Sequence, residues 1–367
     1  MKVMTLFGTR PEIIRLSQVI KRLDGLCTQV LVHTGQNYDP DLSDVFFREL
    51  ELRAPDMYLG VRASGFAEQV AQILARAAKA LEEIRPDRLL ILGDTNSALS
   101  AVVAARMGIP VYHMEAGNRC YDNRVPEEIN RRIVDHCSDV LMPYTHRSKE
   151  NLLREGIERQ RIFVTGNPIY EVLEAYAARI EDSDVLDRFD LRPRQYFLVT
   201  LHRAENVDDE LRLQGLLRGI ALVADTYDKP AVVSVHPHTA DRIAQFGLRW
   251  ESPRLRLLRP MGFFDFVKLE RYAHCVLTDS GTVQEECCVF RVPNVTLRDV
   301  TERAESIEVG SNILSGGEPE MILHAVNVAL ASPPSWAPPT EYTESQVSAT
   351  VAKIVLGFRE QAHRRTG

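Results

Sequence analysis

The sequence predicts an α/β fold of two Rossmann-like domains, with parallel sheets facing a central cleft. Three observations lead there. Short apolar, strand-like runs alternate with helix-patterned segments along the whole chain, the pattern of repeated β-α units whose parallel sheets are covered by helices. The alternation comes as two series, which meet near Gly166-Asn167-Pro168. At 367 residues, 45% of them hydrophobic and 26% charged, the chain has enough apolar material for two cores rather than one.

In the first series the strand-like runs are Val3–Phe7, Val30–Thr34, Leu89–Leu92, Val111–Met114, Val140–Met142 and Ile162–Thr165. Between them, Phe66–Ile84 repeats apolar residues three and four apart, as an amphipathic helix does. The second series reads Tyr196–Leu201, Ala231–His236, Leu255–Leu258, Cys275–Thr278 and Asn294–Leu297, separated by helical patterns such as Glu210–Ala224 and Phe264–Tyr272. No repeat of solenoid period stands out. The proline-rich Ser332–Pro339 interrupts the alternation before a final helix of about Ser345–Gln361. A helix placed after such a linker is expected to pack back on the first domain. The expected bounds are 1–167 with a closing helix of about 345–367, and 168–344.

Composition narrows the function classes. A formal net charge of −7 argues against nucleic acid as the main partner. Arginine greatly outnumbers lysine, and guanidinium suits bidentate phosphate binding. Six cysteines without C-x-x-C spacing fit a reduced, cytoplasmic compartment. The amino terminus has too short an apolar stretch for a signal peptide, and no run could span a bilayer, so no membrane partner is expected. The first strand is not followed by G-x-G-x-x-G, a Walker A sequence is missing, and the histidines lack H-E-x-x-H or comparable spacing. A dinucleotide at the first turn and a metal are therefore not expected. Cys287 and Cys288, adjacent within a helical pattern, read as buried small hydrophobes.

The densest chemistry lies in Val111 to Arg132, V-Y-H-M-E-A-G-N-R-C-Y-D-N-R-V-P-E-E-I-N-R-R. Glu115, Asp122, Glu127 and Glu128 stand among Arg119, Arg124, Arg131 and Arg132, directly after an apolar strand. The carboxyl end of a strand is where open α/β sheets bind ligands. Carboxylates crowded beside arginines can have their pKa values pushed apart, as proton transfer near neutral pH requires. A structural ion-pair network has the same composition, and charge alone does not choose between them.

Four strand ends carry polar or glycine-rich loops that read as anion sites. After the first strand comes Gly8-Thr9-Arg10-Pro11-Glu12, where Pro11 suits a first helical turn and sets Arg10 at a helix N-terminus. Gly93-Asp94-Thr95-Asn96 follows Leu89–Leu92, and there Asp94 or Thr95 could simply cap the next helix. Thr200-Leu201-His202-Arg203-Ala204-Glu205-Asn206 brings a histidine, an arginine and an acid to the end of a buried strand. In Thr278-Asp279-Ser280-Gly281-Thr282-Val283-Gln284-Glu285-Glu286, the residues Ser280, Gly281 and Thr282 open a helix whose free N–H groups suit a diphosphate. Glu286, one to two turns on, is placed to accept hydrogen bonds from ribose hydroxyls, although Ser280 also reads as a plain N-cap. Composition and spacing thus reach a two-domain phosphate-binding enzyme with a carboxylate cluster, without naming its reaction.

The motifs G-T-R-P-E (Gly8–Glu12), G-D-T (Gly93–Thr95), H-M-E-A-G (His113–Gly117) and P-E-E-x-N-R (Pro126–Arg131) belong to a set with three more. These are H-R-x-E-N (His202–Asn206), D-S-G-T-V-Q-E-E (Asp279–Glu286) and R-D-x-T-E-R (Arg298–Arg303). In order and spacing, over nearly the full length, the set resembles the non-hydrolysing UDP-N-acetylglucosamine 2-epimerase family. That resemblance implies a GT-B fold and a 2-epimerisation that removes the C2 proton, expels UDP to leave a 2-acetamidoglucal, and adds UDP back after reprotonation on the opposite face. The substrate would be a UDP-N-acetylhexosamine, with no cofactor and no metal, and a homodimer is the expected assembly. Carried over by motif, Asp94, Glu115 and Glu127 are the proton-transfer candidates. Arg10, Arg131 and His202 would hold the diphosphate or orient those carboxylates. Ser280, Gly281, Thr282 and Glu286 would bind UDP, with Arg298 and His236 nearby and Phe266 against uracil.

The chain departs from the common family pattern. Ile13-Ile14-Arg15 puts arginine where lysine is usual, and Thr34–Asp39 reads T-G-Q-N-Y-D. Ala116–Glu128 reads A-G-N-R-C-Y-D-N-R-V-P-E-E, where A-G-L-R-T is common. These variants resemble the subgroup that forms UDP-N-acetyl-L-fucosamine from its 6-deoxy-L-talo epimer, with Arg15, Asn118 and Tyr121 set near the sugar. Two other classes compete. A GT-B glycosyltransferase using a UDP-sugar donor would not need so many acids, and a non-catalytic UDP-sugar-binding protein would not need to keep them.

Overall fold

The computed structural model describes residues 1–36, 40–63 and 65–358; Asn37, Tyr38 and Asp39 of the T-G-Q-N-Y-D run, and the stretch of the expected closing helix past 358, lie outside them. The chain divides into two compact units. Met1–Ala175 joins the segment from Thr340 onward in the first, and Tyr176–Pro339 forms the second.

The first unit holds a six-stranded parallel sheet of β1 (Lys2–Phe7), β2 (Thr28–His33), β3 (Met57–Tyr58), β4 (Arg88–Leu92), β5 (Val111–Met114) and β6 (Val140–Met142), in the order β3-β2-β1-β4-β5-β6. Both faces are covered, so β4 (R-L-L-I-L) is buried at every position, as a central parallel strand should be. Helix Phe66–Ile84 forms where the apolar spacing predicts it and buries Ile73, Ala77, Ala80, Leu81 and Ile84. The helix Val347–Gly357 packs on helices Arg10–Asp24 and Pro168–Ala175 of the same unit. There Ser348 donates through N and Oγ to Glu171 at 2.7 and 2.5 Å and accepts from Arg22 Nε at 3.0 Å.

Ile162–Thr165 is not a strand. Ile162 makes only an isolated bridge to Leu141. The neighbouring β6 is three residues long and is followed by Pro143, which has no N–H to extend a ladder. β3 and β12, at two and three residues, gave no periodic signal.

The second unit repeats the plan with β7 (Phe197–Leu201), β8 (Ala231–Val235), β9 (Leu255–Leu258), β10 (Cys275–Thr278), β11 (Asn294–Thr296) and β12 (Asn312–Leu314), all parallel, in the order β12-β11-β10-β7-β8-β9. In each sheet the strand order reverses at one place, between β1 and β4 and between β7 and β10. Such switch points open a crevice at the carboxyl ends of the strands. The loops that begin at Gly8, Gly93, His202 and Asp279 all leave strands at these two points. Among the described residues, no helix is long and apolar enough to cross a membrane.

Candidate active site

Past the end of β5 the chain turns sharply, and Glu115 takes a left-handed backbone with φ +65°. Non-glycine residues rarely stay there without surrounding contacts to hold them. Those contacts are present. Arg15, from helix Arg10–Asp24, ion-pairs with Glu115 Oε2, both side chains being buried. Asn118 Nδ2 donates to Glu115 Oε1 at 3.2 Å, Tyr144 Oη donates to Oε2 at 3.3 Å, and the Arg15 guanidinium lies 5.7 Å from the Tyr144 ring centroid. Ser148 Oγ in turn donates to Asn118 Oδ1 at 2.8 Å. The next residue but one, Gly117, has φ +81°, and a Cβ there would stand 2.2 Å from the Ser148 carbonyl oxygen. Only glycine fits that close approach.

Asp94, at the end of β4, is gripped by Arg131 of helix Pro126–Cys137, with Nε at 3.0 Å and Nη2 at 2.5 Å from Oδ2. Arg131 is 1% exposed and also donates through Nη1 to Glu128 Oε2 at 3.0 Å. Glu128 accepts further from the backbone N–H groups of Cys120 and Tyr121 at 3.0 and 3.1 Å and from Arg132 at 2.7 Å. Burial alone would raise its pKa, but these donors and Arg131 hold the carboxyl below its usual range. Glu127 sits half-buried in the first turn of the same helix, and Arg10 is half-buried with its guanidinium 5.8 Å from the Phe46 ring centroid.

Three buried groups that the sequence reading did not assign tie these loops together. Glu12 accepts from Gly8 N at 3.1 Å, Thr9 Oγ1 at 2.7 Å and Thr95 Oγ1 at 3.3 Å, joining the loop after β1 to the loop after β4. Burial pushes its carboxyl up to about 7 despite those bonds. His113, fully buried on β5, donates from Nε2 to the Gly93 carbonyl at 2.8 Å and meets Asp135 Oδ1 at Nδ1, also at 2.8 Å. Asp135 also takes the Gly117 N–H at 3.1 Å and Arg119 Nη2 at 2.8 Å. Its burial would raise its pKa, and His113 and Arg119 hold it low instead. A signal for Glu128 was available, because it stands three residues before Arg131 on one helix.

The second unit gathers the other candidates around β7 and β10. Thr200 and Thr278 pair in register and share a hydroxyl hydrogen bond of 2.5 Å. Buried Asp279 accepts at Oδ2 from His202 N (2.9 Å), Arg203 N (2.8 Å) and Asn206 Nδ2 (3.2 Å), while His202 Nδ1 lies 3.2 Å from its other oxygen. The His202 and His236 rings are 6.1 Å apart, and His236 caps helix Pro237–Gln245. Ser280 takes the N-cap position of helix Gly281–Phe290 but makes no side-chain cap. The first N–H groups of that helix, from Gly281 and Thr282 onward, are of the kind that binds anions. Gly281 lies against the end of the loop after β11, where a Cβ would meet Glu302 Oε1 at 3.0 Å. Arg298 is 1% exposed and pairs with Glu205 at 3.1 Å and Glu302 at 3.0 Å. Glu286 is buried, and half-buried Phe266 packs on the cluster around Leu198, Val232 and Val276. Among the described residues, no three His, Cys, Asp or Glu side chains group as a metal site would.

The family model described as UDP-N-acetylglucosamine 2-epimerase matches residues 21–356. The chain is 41% identical over 349 residues to the UDP-N-acetylglucosamine 2-epimerase of Methanocaldococcus jannaschii, covering 92% of this chain and 95% of that one. It is 34% identical to the UDP-2,3-diacetamido-2,3-dideoxy-D-glucuronate 2-epimerase of Pseudomonas aeruginosa, over 90% and 92% of the two chains. The crystal structure of the M. jannaschii enzyme in complex with UDP-GlcNAc and UDP superposes with a TM-score of 0.92 at 39% identity, covering 96% of this chain and 99% of that one. Two Rossmann-like sheets of this type make the fold GT-B-like. The chain belongs to the UDP-N-acetylglucosamine 2-epimerase family, a family of isomerases acting on carbohydrate derivatives.

Proposed function

We propose that this protein inverts C2 of a UDP-N-acetylhexosamine by eliminating UDP and adding it back. The observation that carries the reading is the pair of arginine-held carboxylates at the ends of neighbouring strands, Asp94 on Arg131 and Glu115 on Arg15. A carboxylate removes the C2 proton as the C1–O bond to UDP breaks, and the electron pair forms the C1–C2 double bond of a 2-acetamidoglucal. An acid on the other face returns a proton to C2, and a diphosphate oxygen of UDP attacks C1. Two faces of C2 need more than one acid-base group, and Asp94, Glu115 and Glu127 are assigned these roles. Arg10, Arg131 and His202 stabilise the departing diphosphate or orient the acids. UDP binds at the N-terminus of helix Gly281–Phe290 through Ser280, Gly281 and Thr282, with Glu286 on the ribose, Arg298 and His236 nearby, and Phe266 beside uracil. The chemistry requires neither metal nor redox cofactor.

The proposed sugar is UDP-2-acetamido-2,6-dideoxy-L-talose, giving UDP-N-acetyl-L-fucosamine. Its support is that Arg15 and Asn118, two of the residues that depart from the common pattern, both bond Glu115. The names of the relatives support UDP-GlcNAc as the second reading. We place the protein in the cytoplasm as a homodimer. Six free cysteines fit the first, and Ile129 and Ile133, an apolar pair exposed one turn apart, fit the second. Incubation with each UDP-sugar in D₂O tests the reaction. Deuterium entering C2 without an acceptor supports epimerisation, whereas transfer to an acceptor, or binding without exchange, overturns it.

A further inference from the structure

The ladder between β4 and β5 reaches Gly93 N, which donates to the Met114 carbonyl at 3.0 Å. Past it, His113 makes a further link. This side chain, 0% exposed, sets Nε2 2.8 Å from the Gly93 carbonyl oxygen, in the peptide that leads into Asp94, and Nδ1 2.8 Å from Asp135 Oδ1. Asp135 accepts at Oδ2 from Gly117 N at 3.1 Å and Arg119 Nη2 at 2.8 Å, so the bonds run on to the turn that holds Glu115. Both groups that the ring faces are acceptors. A carbonyl oxygen has no proton to give, and a carboxylate held by a guanidinium has none either. A neutral imidazole donates from one nitrogen and turns a lone pair toward the other contact; only the imidazolium donates from both. Charge points the same way. Arg119 is shared between Asp135 and Glu155, whose oxygens lie 2.8 and 2.6 Å from its Nε and Nη2. A second cation therefore completes the pairing of the fully buried Asp135.

We propose that His113 is a positioning residue for the epimerisation, an imidazolium whose two N–H bonds fix the loop of Asp94 against the loop of Glu115. The proposal rests on the assignment of those two acids to proton transfer. Gly93 has φ +76°, which turns the peptide before Asp94 out of the strand direction, and His113 takes its carbonyl. On the other loop, Asp135 holds the Gly117 N–H, and Arg119 Nη1 donates to the Asn118 carbonyl at 2.7 Å. Asn118 is itself bonded to Glu115. In the proposed reaction both acids serve one carbon, so a shift of about 1 Å in either loop costs rate rather than nucleotide binding.

The test has a spectroscopic and a kinetic arm, both on the full chain. With ¹⁵N in the histidine rings, the wild type at neutral pH should show His113, identified as the signal that His113→Gln lacks, with both nitrogens protonated. One protonated and one bare nitrogen overturns the proposal. His113→Phe keeps the ring and loses both bonds. Its kcat should fall by ~10²-fold, the scale of a misplaced reacting group. UDP affinity by calorimetry, and KM, should stay within ~2-fold, small beside a hydrogen bond's usual worth. His113→Gln can set an amide N–H where Nε2 stood, restoring the Gly93 bond, and should recover ~10-fold of that loss, about the worth of one hydrogen bond. A Phe variant with kcat within ~2-fold of the wild type, or one whose kcat and UDP affinity fall together, overturns the positioning role. A Gln variant no better than Phe does the same. Should the Phe variant fail to fold, the Gln variant still tests the role, because its kcat must fall while its UDP affinity holds. Asp94→Asn and Glu115→Gln, measured alongside, separate the two readings. Near-normal activity in both overturns the acid assignment, and the proposal falls with it; impaired acids beside an unimpaired His113→Phe overturn the role of His113 alone.

Discussion

Arg131 holds Asp94 by one carboxylate oxygen, with Nε at 3.0 Å and Nη2 at 2.5 Å from Oδ2. The Asp94 side chain is 21% exposed. The remaining arm of Arg131 is spent on Glu128, whose side chain is fully buried. One guanidinium thus holds a partly exposed acid and a fully buried one, and the two should respond differently to the same chemical change.

Asp94→Asn should cut turnover by ~10²-fold or more, the usual range for a positioned acid or base, with UDP affinity nearly intact. Glu128→Gln should act first on stability. Removing one partner of a buried ion pair costs about 3–5 kcal/mol, and the loop at Cys120 and Tyr121 loses its anchor. Urea unfolding beside steady-state kinetics separates them. If Glu128→Gln is as stable as the wild type, the division of labour fails.

Gly117 offers a sharper structural test. At φ +81°, with a Cβ position 2.2 Å from the Ser148 carbonyl oxygen, alanine faces both left-handed strain and a backbone clash. Together these should cost about 2–5 kcal/mol, seen as a fall in thermal midpoint. An alanine variant with the wild-type midpoint would show that the turn holding Glu115 is looser than its contacts imply.

Glu12 predicts a pH dependence of stability. Its folded pKa is raised by burial from 4.5 to about 7, so the folded chain must keep a proton that the unfolded chain releases. The stability this group contributes is full below about pH 4.5 and lost as pH rises through about 7. The loss is on the order of 3 kcal/mol at 1.36 kcal/mol per unit. Glu12→Gln does not titrate. The stability of the wild type relative to this variant should therefore fall between pH 5 and pH 8, read from urea midpoints; parallel profiles would contradict the assignment.

The elements readable in the sequence are those with enough residues to show a period. Helix Phe66–Ile84 has five turns of apolar spacing, whereas β3 and β12 have two and three residues. Ile162–Thr165 looked like a strand because strand-like composition does not reveal that Pro143 stops the ladder of its neighbour. The candidate residues stood out as motifs but their pairing did not. Glu127 and Glu128 both lie within a turn of Arg131. The choice of Glu128 as its buried partner depends on the Cys120–Tyr121 loop, where Tyr121 takes φ +58° and two backbone N–H groups turn toward that carboxylate. A left-handed glutamate or tyrosine, unlike a glycine or asparagine, carries no sequence signal. Glu12 stayed hidden for a related reason, since a buried acid reads in sequence like any surface acid.

The proposed substrate choice assigns the sugar to Arg15, Asn118 and Tyr121. Arg15 and Asn118 both bond Glu115, and Tyr121 directs its hydroxyl to Asn151 Oδ1 at 2.9 Å. UDP-GlcNAc carries a C6 hydroxyl that a 6-deoxy sugar lacks, and the two sugars differ in configurational series. A site that hydrogen-bonds the hydroxyl rejects the deoxy sugar strongly, whereas an apolar site admits the hydroxylated one only reluctantly. The 6-deoxy-L-talo substrate should therefore be turned over with kcat/KM at least ~10-fold above that for UDP-GlcNAc, the low end for one changed pocket contact. Lysine stands at position 15 in the common pattern, and a fork that reaches both a carboxylate and a ring is not replaced by a point charge. Arg15→Lys should accordingly narrow the ratio, with kcat falling more than KM rises because Glu115 loses its orienting partner. If the wild type turns over UDP-GlcNAc as well as the deoxy sugar or better, the L-fucosamine reading is wrong and the UDP-GlcNAc/UDP-ManNAc interconversion takes its place.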